Sequence, residues 1–162
     1  MLTQGTPLPA PAERGRELFF GTAACATCHN GPLLSDQNFY ALGLPAFGPG
    51  RTRRFDPSAR DVGRMGESDN IEDAYRFKTP RLRNVALTGP YGNNGAYPDL
   101  EGIVRHHLDP VAMRATWKPK LAALPSVPWL EQIDFLIATN QLEIARQAAK
   151  IDIKPVPLTE HQ

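Results

Sequence analysis

Cys25-Ala26-Thr27-Cys28-His29 places two thiols three positions apart with an imidazole directly after them. Thiols at that spacing can each add to one vinyl group of a porphyrin, and the next residue then lies beneath the iron. The stretch therefore reads as a covalent haem c attachment site, with Cys25 and Cys28 as anchors and His29 as proximal ligand. Two other chemistries share part of the pattern. A structural zinc site needs two more Cys or His at ligand spacing, and the chain has no third cysteine. A redox dithiol belongs in a βαβ setting, and none is visible around these residues.

A ligating histidine gives its second ring N–H to a fixed acceptor, which sets its tautomer and basicity. The Pro32 carbonyl, held by the Gly31-Pro32 turn, is the expected acceptor. Arg83, and less so Arg81, could pair with a haem propionate through a bidentate guanidinium. An Arg cluster at Arg51, Arg53 and Arg54 reads as solvated surface, with a partner or a propionate as the alternative.

The opposite face of the iron needs a sixth ligand or stays open. Leu100, Ile103, Val104 and His107 fall at i, i+3, i+4 and i+7, one face of a helix. His106 lies about 100° from that face. If this face meets the haem, His107 is presented to the iron and His106 is not. The thioethers of Met65 and Met113 are the rivals.

The elements that must position these groups are short. Sixteen prolines and thirteen glycines in 162 residues make long helices improbable over much of the chain. Residues 1–11 read as an extended Pro-rich arm. A helix is expected over 12–20, with Leu18 and Phe19 apolar, Glu13, Arg14, Arg16 and Glu17 polar, and Gly21 as its stop. Residues 38–70 read as loop and 77–91 as an extended segment lining a pocket. The helix over 99–108 has Asp99 at its positive end. Another is expected over 128–140, where Leu130, Ile133, Leu136 and Ile137 form a stripe that would pack across the first helix. Residues 141–162 read as a helical turn and a tail, a packing strap or interaction segment.

Phe77-Lys78-Thr79-Pro80-Arg81-Leu82-Arg83-Asn84-Val85-Ala86-Leu87-Thr88-Gly89-Pro90-Tyr91 closely resembles the signature of bacterial dihaem cytochrome c peroxidases and the related MauG-type proteins. The similarity covers about residues 12–140 and is to their C-terminal, electron-transferring haem domain; their N-terminal half has no counterpart here. The resemblance implies an all-α fold: a cytochrome c-like helical domain at 12–140, wrapped around one covalent haem, with long loops and extended Pro-rich termini. In the peroxidases a Met on the helix after the signature is the distal ligand, and in MauG a Tyr. Aligned from Pro90-Tyr91, His107 takes that place. The family usually has a His two positions after the Pro-Tyr pair, where this chain has Asn93. It also implies a calcium ion between the two halves, held by carbonyls matching Thr88 and Pro90, a site incomplete without the other half.

Three roles follow as expectations. The first is an electron carrier with His/His ligation, exchanging single electrons with a redox partner protein. The second is a fragment of a dihaem peroxidase, reducing hydrogen peroxide beside a second haem domain. The third is a haem subunit of a larger respiratory or photosynthetic complex. With 18 basic and 17 acidic residues, net charge +1 and pI near 7.8, there is no electrostatic case for nucleic acid. No run approaches the roughly 18 apolar residues of a membrane span. The first residues lack the basic start and apolar run of a secretory signal. Covalent haem c is attached outside the bacterial cytoplasm, so a periplasmic chain is expected, numbered as a mature form or as part of a longer product.

Overall fold

In the computed structural model, which describes residues 7–46, 60–118 and 141–158, the ordered chain enters helix α1, Ala10–Phe20. Pro11 suits its first turn, where backbone N–H groups have no helical partner. Gly21 ends it, its N–H donating to the Leu18 carbonyl at 3.2 Å. The helix begins slightly ahead of the expected 12–20 stretch, and none of its residues is buried.

Past the cysteine turn, strand β1 (Phe39–Tyr40) pairs antiparallel with β2 (Phe77–Lys78), Phe39 opposite Lys78 and Tyr40 opposite Phe77. The Thr79 N–H extends the ladder to the Asn38 carbonyl at 2.8 Å. Buried Ser35 fastens it from the side: its hydroxyl donates to the Thr79 carbonyl at 2.8 Å and accepts from the Gln37 N–H at 3.1 Å. This ribbon overturns the expectation of an all-α chain, and fewer than half of the described residues are helical. Two-residue strands are too short to show a period-two alternation, and their pairing joins distant segments that read separately as loop and extended chain.

Between the strands, short helix α2 (Met65–Ser68) lies beside a small core of Val62, Ala74 and Tyr75, against which Met65 packs. After β2 come α3 (Leu100–Leu108), α4 (Pro110–Thr116) and α5 (Gln141–Ala148). Asp99 caps α3 by accepting the Gly102 N–H at 2.8 Å. Asp109 ends α3 and caps α4, accepting the Ala112 N–H at 2.9 Å, with Pro110 in the first position of α4. The segment after α5 returns across the body. Asp152 takes a bidentate pair from Arg76 at 2.9 and 3.0 Å, and the Val156 N–H reaches the Leu108 carbonyl at 2.8 Å. The helix expected over 128–140, the Arg51, Arg53 and Arg54 cluster and residues 1–6 of the expected arm lie outside the described residues.

Gly63 shows how tightly the chain folds back here. It sits at φ +59 in a parallel bridge with Arg76, and a Cβ would fall 2.4 Å from the Arg76 carbonyl oxygen. Gly63→Ala combines that clash with left-handed strain and is expected to cost at least about 2 kcal/mol. Gly15, in the middle of α1, has nothing within 4 Å of its would-be Cβ. Gly15→Ala is expected to be neutral or to gain up to about 1 kcal/mol. Urea unfolding midpoints of both variants check the pair, and a Gly63→Ala midpoint equal to wild type would refute the first.

Candidate functional site

Ala24, at φ 54 in the left-handed region, turns the chain sharply after α1. The turn Cys25–Thr27 then winds the motif into one coil. The Cys28 and His29 N–H groups both donate to the Cys25 carbonyl, at 3.3 and 2.9 Å. Both cysteines are free and partly exposed. Burial pushes both thiols up from the ordinary range, an effect that the Tyr40 hydroxyl beside Cys28 opposes there. A redox dithiol needs a thiol pushed down, so this pair lacks that activation. Among the described residues no three His, Cys, Asp or Glu side chains gather as an ion site.

The loop after His29 curls back on itself. Gly31 and Leu34 both take positive φ, the Leu34 N–H donates to the Gly31 carbonyl at 3.1 Å, and the Ser35 N–H to Asn30 at 2.8 Å. That curl carries the Leu34 carbonyl oxygen to 3.0 Å from His29 Nδ1. Leu34, and not Pro32, is therefore the acceptor for the ring. The Pro32 carbonyl accepts from Arg83 Nε at 3.0 Å instead. Two residues singled out separately in the sequence are thus partners of each other, tying the 77–91 segment to the loop beneath His29. Arg83 stays exposed.

Across from His29 stands His107 of α3, ring centroids 6.4 Å apart and planes at 57°. His107 Nδ1 lies 2.8 Å from the Ile103 carbonyl, one turn back on its own helix. A carbonyl oxygen only accepts, so both rings carry a proton on Nδ1, and Nε2 is the nitrogen that each neutral ring offers as a lone pair. Among the described residues neither Nε2 has a hydrogen-bond partner. Burial, with the neighbouring His29, holds His107 below the usual histidine range, which keeps that lone pair available.

His106 is the opposite case. It is fully buried, with Nε2 2.8 Å from the Leu42 carbonyl and Nδ1 2.9 Å from the Tyr97 hydroxyl. Both nitrogens are used, the proton is on Nε2, and burial pushes the group down to about 4. Met65 belongs to the Val62 cluster, and Met113 lies half-buried on α4.

The residues present fit a covalent haem. Metal–imidazole nitrogen bonds of about 2 Å leave room for one ion between rings at this separation. Both imidazoles already have the ligating tautomer, and the two thiols lie within one turn of His29. Val104, one turn before His107 on the same face, is 51% exposed and Leu33 37% exposed, apolar surface that a flat apolar group would cover. Among the described residues no helix is long and apolar enough to cross a membrane.

No protein-family profile matches the chain. A cytochrome-c peroxidase of Denitromonas iodatirespirans is 39% identical, over 60% of this chain and 31% of its own length. The cytochrome c peroxidase of Escherichia coli is 41% identical, over 60% of this chain and 20% of its own. The methylamine utilization protein MauG of Methylorubrum extorquens is 34% identical, over 61% of this chain and 25% of its own. The chain thus spans a fifth to a third of the length of these relatives. A crystal structure of a MauG-like protein associated with microbial copper homeostasis matches with TM-score 0.56 at 23% identity, over 91% of this chain and 47% of that one. That likeness is one of fold.

A carboxylate and a phenol stand beside the cysteine turn. Tyr40 donates to Asp36 Oδ2 at 2.7 Å, and the Asn38 N–H to Oδ1 at 2.9 Å. Burial alone would raise the Asp36 carboxyl, but bonds from Tyr40, Asn38 and Thr79 overcome it and hold it at about 2. The same bond to Asp36 pushes Tyr40 up to about 12. A carboxyl depressed on folding adds stability above its unfolded pKa of about 4. That contribution is lost as pH falls towards about 2. Carboxyl NMR titration of the folded chain is expected to place Asp36 near 2, and Tyr40→Phe to move it up towards the ordinary range. An unmoved midpoint would remove Tyr40 from that role.

Proposed function

We propose that this chain, which belongs with the bacterial cytochrome c peroxidase and MauG proteins and corresponds to one stretch of them, is a single-haem electron-transfer domain. Cys25 and Cys28 would hold the porphyrin covalently, with His29 and His107 on the two faces of its iron. When bound, the haem supplies reversible one-electron chemistry. The observation that carries this reading is the facing pair of imidazoles, 6.4 Å apart, each pinned through Nδ1 to a carbonyl. Pinning fixes the tautomer and the ring plane before a metal arrives, so little reorganisation accompanies ligation. Two imidazole ligands leave no position for a peroxide oxygen, which favours carriage of electrons over turnover by this chain alone. Arg83, with Nε on Pro32, keeps its terminal amino groups for a propionate. The partner would be a redox protein, and covalent attachment of haem c places the chain in the periplasm.

A second reading has one supporting observation. The relatives named as peroxidases are three to five times longer than the stretch matched. On that reading this domain passes electrons to a second haem domain where hydrogen peroxide is reduced.

Optical and EPR spectra of the ferric protein test the first reading. Wild type is expected to be low-spin and six-coordinate, without peroxide turnover, and His107→Ala to turn high-spin. A high-spin wild type unaffected by His107→Ala would sink the ligand assignment and bring the peroxidase reading forward.

A further inference from the structure

We propose that His106 is a positioning residue: its two hydrogen bonds set the rotation of α3 that turns His107 towards His29. The inference rests on the reading of His107 as a ligand.

Helix α3 has nine residues and His106 is its one fully buried side chain. A helix this short is marginal alone, and its apolar face is only partly covered, Val104 being 51% exposed and Leu100, Ile103 and Leu108 half-buried. Apolar packing therefore leaves rotation about its axis loosely defined, whereas His106 defines it. Nε2 donates to the Leu42 carbonyl at 2.8 Å, and Nδ1 accepts from the Tyr97 hydroxyl at 2.9 Å. Tyr97 is itself buried, and its backbone exchanges hydrogen bonds with Tyr91 at 2.7 and 3.2 Å. Leu42 is held on both sides: the Ala41 N–H donates to Asp152 at 2.8 Å, and the Gly43 carbonyl accepts from Arg114.

His106 therefore grips two anchored groups, and the next residue along the helix points about 100° away. With side chains about 5 Å from the axis, a 20° slip of the helix would carry the His107 ring by about 2 Å. Metal–ligand distances hold to within about 0.2 Å, so that slip breaks ligation while leaving the helix intact.

The test uses the haem-loaded full chain. His106→Leu removes both bonds and is expected to give a partly high-spin ferric spectrum and a raised reduction potential, at unchanged covalent haem content. His106→Gln offers an amide N–H and a carbonyl oxygen in their place and is expected to restore the low-spin signal. Tyr97→Phe deletes one hydroxyl and is expected to fall between Leu and wild type. His107→Ala is the reference. If His107→Ala shifts the spectrum while His106→Leu and Tyr97→Phe match wild type in spectrum and potential, the positioning role is overturned and the ligand stands. Should His107→Ala change nothing, both fall. Should His106→Leu fail to accumulate, Tyr97→Phe and His106→Gln decide. A wild-type spectrum in Tyr97→Phe, or a Gln variant as high-spin as His107→Ala, overturns the proposal.

Discussion

Three consecutive main-chain groups take side-chain partners from three separate stretches of the chain. The Ala41 N–H is held by Asp152, the Leu42 carbonyl by His106 and the Gly43 carbonyl by Arg114. Between them these contacts fasten α3, α4 and the segment after α5 to the loop that follows β1. The apolar alternative is thin. The buried apolar side chains among the described residues are three alanines, two prolines, Val62, Tyr75 and Tyr97. At about 1 kcal/mol for each net hydrogen bond, and more for a charged partner, the clamp is comparable to burying a side chain or two. A fold of short helices and a two-residue ribbon depends on such tethers.

The clamp also explains why two adjacent histidines serve opposite ends. His106 spends both ring nitrogens on the body of the protein, whereas His107 spends one on its own helix and keeps the other. Each proton is located by the same rule, that a carbonyl can only accept. Neighbouring positions with the same side chain thereby become a strut and a ring with one nitrogen to spare. Tyr97 makes the distinction possible, since its hydroxyl satisfies the nitrogen that would otherwise be left unpaired in the interior.

Much of the site was legible because it is local. The cysteine turn is a five-residue pattern, and α3 announces itself through apolar spacing and the Asp99 cap. The angular separation of His106 from His107 is helix geometry alone. What escaped the sequence is long-range or very short. Nothing near Pro32 or Leu34 tells which carbonyl the loop will turn towards His29, because positive φ at Leu34 decides it and leucine rarely signals that conformation. Tyr97 gave no sign of its role, since its partner sits on a helix that begins after it. Asp109-Pro110 reads as a break, yet Asp109 starts α4 as it ends α3, and proline at a first helical position is compatible with both. The Phe39–Tyr40 ribbon is beneath the resolution of any periodicity, which is why an all-α reading fails.

That shared Asp109 has a consequence for motion. The residue whose N–H closes the last turn of α3, donating to Arg105, is the one whose carboxylate holds the first turn of α4. Fraying at the end of α3 therefore loosens the start of α4, which couples local opening of the two helix ends. Arg114, on α4, is bonded to Gly43, Ile144 and Gln147, and it therefore resists an opening that begins two residues after His107. The α3 end nearest His107 is in this way tied down through a helix that carries neither ring.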